Sequence, residues 1–140
     1  MNEVLTPISY GELIDKITIL EIKSERISAP EKLVNIRHEL DRLNEIWNSH
    51  NNNKTDISHL WQQLREINGK LWNIEDDIRD CERAADFSEK FIELARAVYF
   101  TNDERSRVKY EINQLLGSAL VEEKSYADYS RADVNQSDAN

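Results

Sequence analysis

LWQQLREINGKLWNIEDDIRDCERAA, residues 60–85, is the stretch whose reading decides the fold class. Its apolar residues are Leu60, Leu64, Ile67, Leu71, Ile74, Ile78, Cys81 and Ala85. They follow one another in alternating steps of four and three, the spacing of a helix seam. A second stripe keeps the same steps through Asn68, Trp72, Glu75, Arg79 and Glu82. It lies roughly 100° further round the same helix. The first stripe reads as core. The second is either a solvated face or the wall of a site.

Outward from this stretch the chain continues in helices. Thr55 or Asp56 is a suitable N-cap, so the long helix is expected over about 56–85, at the centre of the fold. Upstream, Ser9-Tyr10-Gly11-Glu12 fits a capping box, with Ile8 and Leu13 as its hydrophobic staple. The helix it opens runs to about Ile27, on a wide apolar arc of Leu13, Ile14, Ile17, Leu20 and Ile22. So wide an arc predicts cover on more than one side. Ser28-Ala29-Pro30-Glu31 ends it and starts a second helix, which runs to about Trp47 on Leu33, Ile36, Leu40 and Leu43. The short connection makes the two antiparallel neighbours. The polar run 49–54, with three consecutive Asn, favours turns over helix and is expected to be exposed and mobile.

Downstream, Asp86 is the expected N-cap of a fourth helix on Phe87, Phe91, Leu94, Ala95 and Val98. Thr101-Asn102-Asp103-Glu104 repeats the capping pattern, which predicts a kink or turn at Phe100-Thr101 and a fifth helix ending at Gly117. The segment after Gly117 carries Glu122, Glu123, Lys124, Tyr126 and Tyr129, and is expected to dock at least to Tyr126. Residues 130–140 are small and polar and read as a disordered tail. The expected architecture is all-α: about five helices in a single domain over 1–129.

Charge and composition exclude more than they assign. The chain has 140 residues, is 39% apolar and 32% charged, and carries a net charge of −9. That balance disfavours general nucleic-acid binding, which needs a basic surface to neutralise phosphates. A local cationic pocket for one small anion stays open. The lone cysteine, Cys81, sits on the apolar seam and has no partner for a disulfide or a metal. His38, His50 and His59 make no zinc spacing with it. No run approaches the ~20 apolar residues of a membrane span, and the first residues are not a signal peptide. Membrane insertion is not expected, and a cytoplasmic location is.

The blocks PISYGELIDKITILEIKSERI, LWNIEDDIRDCER and FIELARAVYFTNDERSRVKYEINQLLGSALVEEKSYA, in that order, resemble a family of small bacterial and phage proteins. It is the domain-of-unknown-function family 6165. The resemblance spans residues 4–129 and rests on long blocks with unusual polar strings such as IEDDIRDCER and EEKSY. It implies a stand-alone module, and carries over no activity and no catalytic residues.

Two readings of the polar residues follow. In the first, the chain is a non-enzymatic binding or interaction module with a polar groove beside the long helix. Asn68, Trp72, Glu75 and Arg79 on that helix would then meet Arg96, Asn102, Asp103, Arg105 and Lys109 downstream. The partner would be a protein or a small anionic ligand held by Arg and Lys with helix N–H groups. A homodimer is compatible, because so long a helix can outrun its intrachain partners. The bland alternative pairs Glu75 with Arg79 and Asp80 with Arg83 along one solvated face. No cofactor is expected under this reading. In the second, Glu12 and Asp15 on helix one face Asp76 and Asp80 on helix three and share Mg²⁺ or Mn²⁺. That pattern resembles, in degenerate form, the paired acidic motifs of all-helical nucleotide pyrophosphatases. The protein would then be a metal-dependent enzyme on a phosphorylated small molecule or nucleotide.

Overall fold

The computed structural model describes residues 2–50 and 55–129. Of the polar run 49–54 expected as a turn, Ser49 and His50 instead continue α2, while residues 51–54 and the tail at 130–140 lie outside the described residues. Within them the chain forms four helices: α1 (Tyr10–Arg26), α2 (Pro30–His50), α3 (Ser58–Arg83) and α4 (Glu89–Leu116).

α1 occupies the centre. Its backbone packs closely on each of the other three, and α3 and α4 also pack on each other. Eight of its 17 residues are buried, against four of 26 in α3. The wide apolar arc of α1 signals this position, and the longer helix is not the central one. Length lets α3 present a clean seam, but a seam needs cover on one side only. The core joins Leu13, Ile14 and Ile17 of α1 to Trp47, Ile57, Leu64, Val108 and Ile112. Each side chain of this size contributes about 1.5–3 kcal/mol when fully buried. Trp47 connects α2 to the rest, meeting Tyr10 edge-on at 6.2 Å and Trp61 at 5.8 Å between ring centroids.

Helix α4 corrects the expectation of five helices. Thr101, Asn102, Asp103 and Glu104 lie inside one unbroken helix. No Pro or Gly interrupts residues 89–116. Thr101 is buried in the middle of α4, so tertiary packing uses it as a core residue. A capping residue needs an extended backbone, and packing against α1 and α3 overrides that local preference.

The other helix ends follow local chemistry with small shifts. Ser9 caps α1, its Oγ accepting from the Glu12 N–H at 3.1 Å. The Glu12 carboxylate does not complete a capping box, because its oxygens face Lys109 and Lys16. Asp56 and Asp86 each sit two residues before a serine whose N–H donates to their Oδ1, at 2.9 and 3.0 Å. The serine hydroxyl first, and then this backbone bond, lower the pKa of both aspartates. α3 therefore begins one residue after Ile57, and Ser88, not Asp86, takes the N-cap position of α4. α3 and α4 end alike. The Asp86 N–H donates to the Cys81 carbonyl and the Ser118 N–H to the Asn113 carbonyl. Each bond closes over a residue of positive φ, Ala85 at 52° and Gly117 at 62°. This is a Schellman ending, with Ala85 doing at some steric cost what glycine does freely.

Candidate functional site

The polar centre of the fold is built on a gap in the apolar arc of α1. Gly11, Asp15, Thr18 and Ile22 form one line along that helix, and all four are buried. Gly11 lets α4 approach so closely that its N–H donates to Asn113 Oδ1 at 2.6 Å. One turn on, Asp15 is 1% exposed and is fully satisfied. Arg105 of α4 grips it with two donors, Nε to Oδ1 at 2.9 Å and Nη2 to Oδ2. Asn68 of α3 donates to the same Oδ1 at 2.9 Å and to Thr18 Oγ1 at 3.0 Å. Three helices are thus fastened on one carboxylate, and the planar guanidinium fixes their relative rotation.

Lys109, one turn along α4 from Arg105, meets three acids. Its Nζ donates to Glu12 Oε2 at 2.7 Å and to Glu122 Oε1 at 3.3 Å, with Asp15 Oδ2 at 3.8 Å. Burial by itself would lower the Lys109 pKa. The Glu12 hydrogen bond and the charges of Asp15, Glu12 and Glu122 outweigh it and raise the value. The Arg105 pKa is raised too, first by its bond to Asp15, against the opposing effect of burial. Both groups are fixed positive charges at neutral pH.

Glu122 belongs to the non-helical segment that follows Gly117. Desolvation pushes its pKa up, but Lys109 and then Lys124 more than offset this, so the net shift is down. A depressed carboxylate pKa contributes stability that is present above the ordinary glutamate value and is lost as pH falls through the lowered one. Magnetic resonance titration of the Glu122 side chain should therefore give a midpoint below the ordinary value, with residues 118–129 shifting in the same step. A midpoint at or above the ordinary value would show that the ion pairs with Lys109 and Lys124 do not form in solution.

Beside this cluster α4 and the segment after it flank an open cavity of about 660 Å³. Its lining brings together Arg105, Lys109 and Lys124 with Asn102 and Asp103. Tyr99, Tyr126 and Tyr129 supply its aromatic wall. The Tyr99 and Tyr129 rings lie 5.6 Å apart, and Lys124 Nζ sits 5.6 Å from the Tyr126 ring.

The residues singled out from sequence divide cleanly. Asn102, Asp103, Arg105 and Lys109 are gathered at the cavity, and Asn68 supports Asp15 behind it. Trp72 lies outside, with the Arg26 guanidinium 5.8 Å from its ring. Arg79 pairs with Glu75, and Arg83 with Asp80, each along α3 itself. Arg96 sits 5.7 Å from the Phe100 ring. The second stripe of α3 therefore begins as part of the polar centre and ends as a solvated face. Glu12 and Asp15 are engaged by Lys109 and Arg105, whereas Asp76 and Asp80 are exposed. Among the described residues no group of three or more His, Cys, Asp or Glu side chains is placed to hold a metal ion.

In the second sequence reading Asp15 is a metal ligand; Thr18 and Asn113 are not singled out there, and Glu122 enters only as part of a segment expected to dock. One signal for Asp15 and Thr18 was available. They interrupt the apolar arc of α1 at helical spacing, which marks a polar contact inside the core. For Glu122 the sequence shows a docking segment but not the partner, because Lys109 is reached only through the way that segment crosses α4.

A family model described as "Family of unknown function (DUF6165)" matches residues 4–135. The chain belongs to that family. The match takes in all four helices, the cavity and the segment that closes it. No curated protein and no solved structure matches the chain. Among the described residues no helix is long and apolar enough to cross a membrane.

Proposed function

We propose that this protein is a non-enzymatic binding module, and that it takes a small anionic ligand in the cavity between α4 and the segment after Gly117. One observation carries the reading. In a chain of net charge −9, three cations, Arg105, Lys109 and Lys124, converge on the lining of a roughly 660 Å³ pocket; their acids Asp15, Glu12 and Glu122 stand behind or beside that lining, which itself carries Asp103. That volume lies in the range of small-molecule sites, about 300–1,000 Å³. The raised pKa of Lys109 supports a binding role: a lysine held protonated attracts anions but is neither a base nor a nucleophile at neutral pH. The tyrosines favour a ligand with a flat ring. The α3 stripe is a weaker candidate for the groove, since its one arginine, Arg79, already pairs with Glu75 along the helix.

Ring compounds with and without an acid group test this. Benzoate and phenyl phosphate should shift the amide resonances of Tyr99, Asn102 and Ser106, and benzyl alcohol should not. Lys124→Ala should weaken the acids about two- to fivefold, the scale of a half-exposed charge contact. Equal response to benzyl alcohol, or shifts confined to other surfaces, would remove the cavity as an anion site.

A further inference from the structure

The ligation of Lys109 is unequal in a way that defines how an anion would enter. Two of its three acids come from α1. Asp15 is also clamped by Arg105 and Asn68, and Glu12 is anchored one turn from the Ser9 cap. Asp15 is thereby held in place, and Glu12, with its side chain 28% exposed, keeps the shorter bond to Lys109. The third, Glu122, comes from a segment with no helix of its own. Its side chain is 45% exposed, and its bond to Lys109 is the longer of the two, 3.3 Å against 2.7 Å. A second cavity, about 270 Å³, is lined by Glu122 together with Ser106, Lys109 and Lys124, which also line the larger one. Space therefore remains around Glu122.

We infer that Glu122 is a built-in stand-in for the ligand's acidic group, and that a ring-bearing carboxylate or phosphate binds by displacing it from Lys109. The inference rests on the reading of the cavity as an anion site. It adds where the acid goes and what it competes with. The ligand's anion takes the position at Lys109 that Glu122 vacates, while Glu12 and Asp15 stay in place. Its ring lies toward Tyr99 and Tyr129. No covalent bond is made or broken in this exchange, which trades the Glu122 carboxylate at the Lys109 ammonium for the anion of the ligand. The cost of entry is limited because Glu122, 45% exposed, returns to water when it leaves, while Lys109, 9% exposed, exchanges one anion for another and is never left unpaired. Residues 118–129 thus act as a strap that occupies the anion position until a ligand competes for it.

Calorimetric titration of phenyl phosphate and of benzoate into the wild type and Glu122→Gln tests the exchange. Glutamine keeps the size and removes the charge, so the variant should bind the better acid about two- to fivefold more tightly, with benzyl alcohol unchanged. Tighter binding of phenyl phosphate marks a phosphate ester as the ligand class, and of benzoate a carboxylate; either supports the exchange. Equal or weaker acid binding by Glu122→Gln, with a wild-type circular dichroism spectrum, overturns the role of Glu122 and leaves the cavity reading standing. No binding of either acid to either protein at millimolar concentration overturns both. Lys109→Met in the Glu122→Gln background should abolish the gain; retention of the gain would place the acid elsewhere.

Discussion

Asp15→Ala is expected to destabilise the protein by about 3 kcal/mol, the low end of the cost of stripping one partner from a buried ion pair. The carboxylate is 1% exposed and accepts from Arg105 of α4 and Asn68 of α3. Its loss leaves the Arg105 guanidinium, about one-third exposed, without its bidentate partner, and Lys109 with less compensating charge. The exposure of Arg105 keeps the cost from the top of the range, because water can reach part of the cation. Asp15→Asn should cost less, since an amide oxygen can still accept from Arg105 or Asn68 while the charge is gone. Urea unfolding at neutral pH checks both. A loss below about 1 kcal/mol for Asp15→Ala would mean that the cluster adds little to stability, as some buried ion networks do. In a double-mutant cycle, Asp15 and Arg105 should couple by at least about 1 kcal/mol, as contacting members of one network do.

Gly11→Ala is the second large effect, and its sign is opposite to that of a superficially similar change. A Cβ on Gly11 would meet the Lys109 carbonyl oxygen closer than real Cβ contacts allow, and would stand 3.0 Å from Asn113 Oδ1. The first of these is backbone in the middle of α4, which cannot rotate away. The helices must separate, which strains the Gly11–Asn113 bond and the neighbouring bond of Glu12 to Lys109. A loss of about 1–3 kcal/mol is expected, the usual cost of overpacking. Gly69 is the control. It lies inside α3, and the nearest atom to its added Cβ is the tip of Arg26, at 3.9 Å. Gly69→Ala should stabilise by about 0.5–1 kcal/mol through helix propensity. Thermal unfolding of the two variants should shift in opposite directions. A Gly11→Ala protein as stable as wild type would show that α1 and α4 are not so close at Lys109.

These two residues show where sequence reading succeeds and where it stops. Periodicity is a local property, so the seam of α3 from Leu60 to Cys81 and the arc of α1 are legible in residue spacing alone. Caps are local as well: Ser9 and Gly117 act as their residue types predict. The same pattern at Thr101 misleads, because a capping string and a mid-helix polar run look alike until packing chooses between them. Asp15 has the same ambiguity. A carboxylate three residues from Glu12 reads as half of a metal site, and only the arrival of Arg105 from 90 residues away makes it an ion pair.

The sequence by itself determined an all-helical chain and its helix seams, and it supplied the net charge of −9 and the Arg105 and Lys109 pair on which the proposal rests. Spacing and charge are enough for these, since they depend on neighbours along the chain. Tertiary structure alone decided that α1 is the centre, that α4 is unbroken, that the acids of α1 meet cations of α4, and that the second stripe of α3 is polar core at Asn68 and solvated face at Arg79. Those outcomes depend on which distant segment covers which face. Helix periodicity says that a face will be covered and leaves open by what.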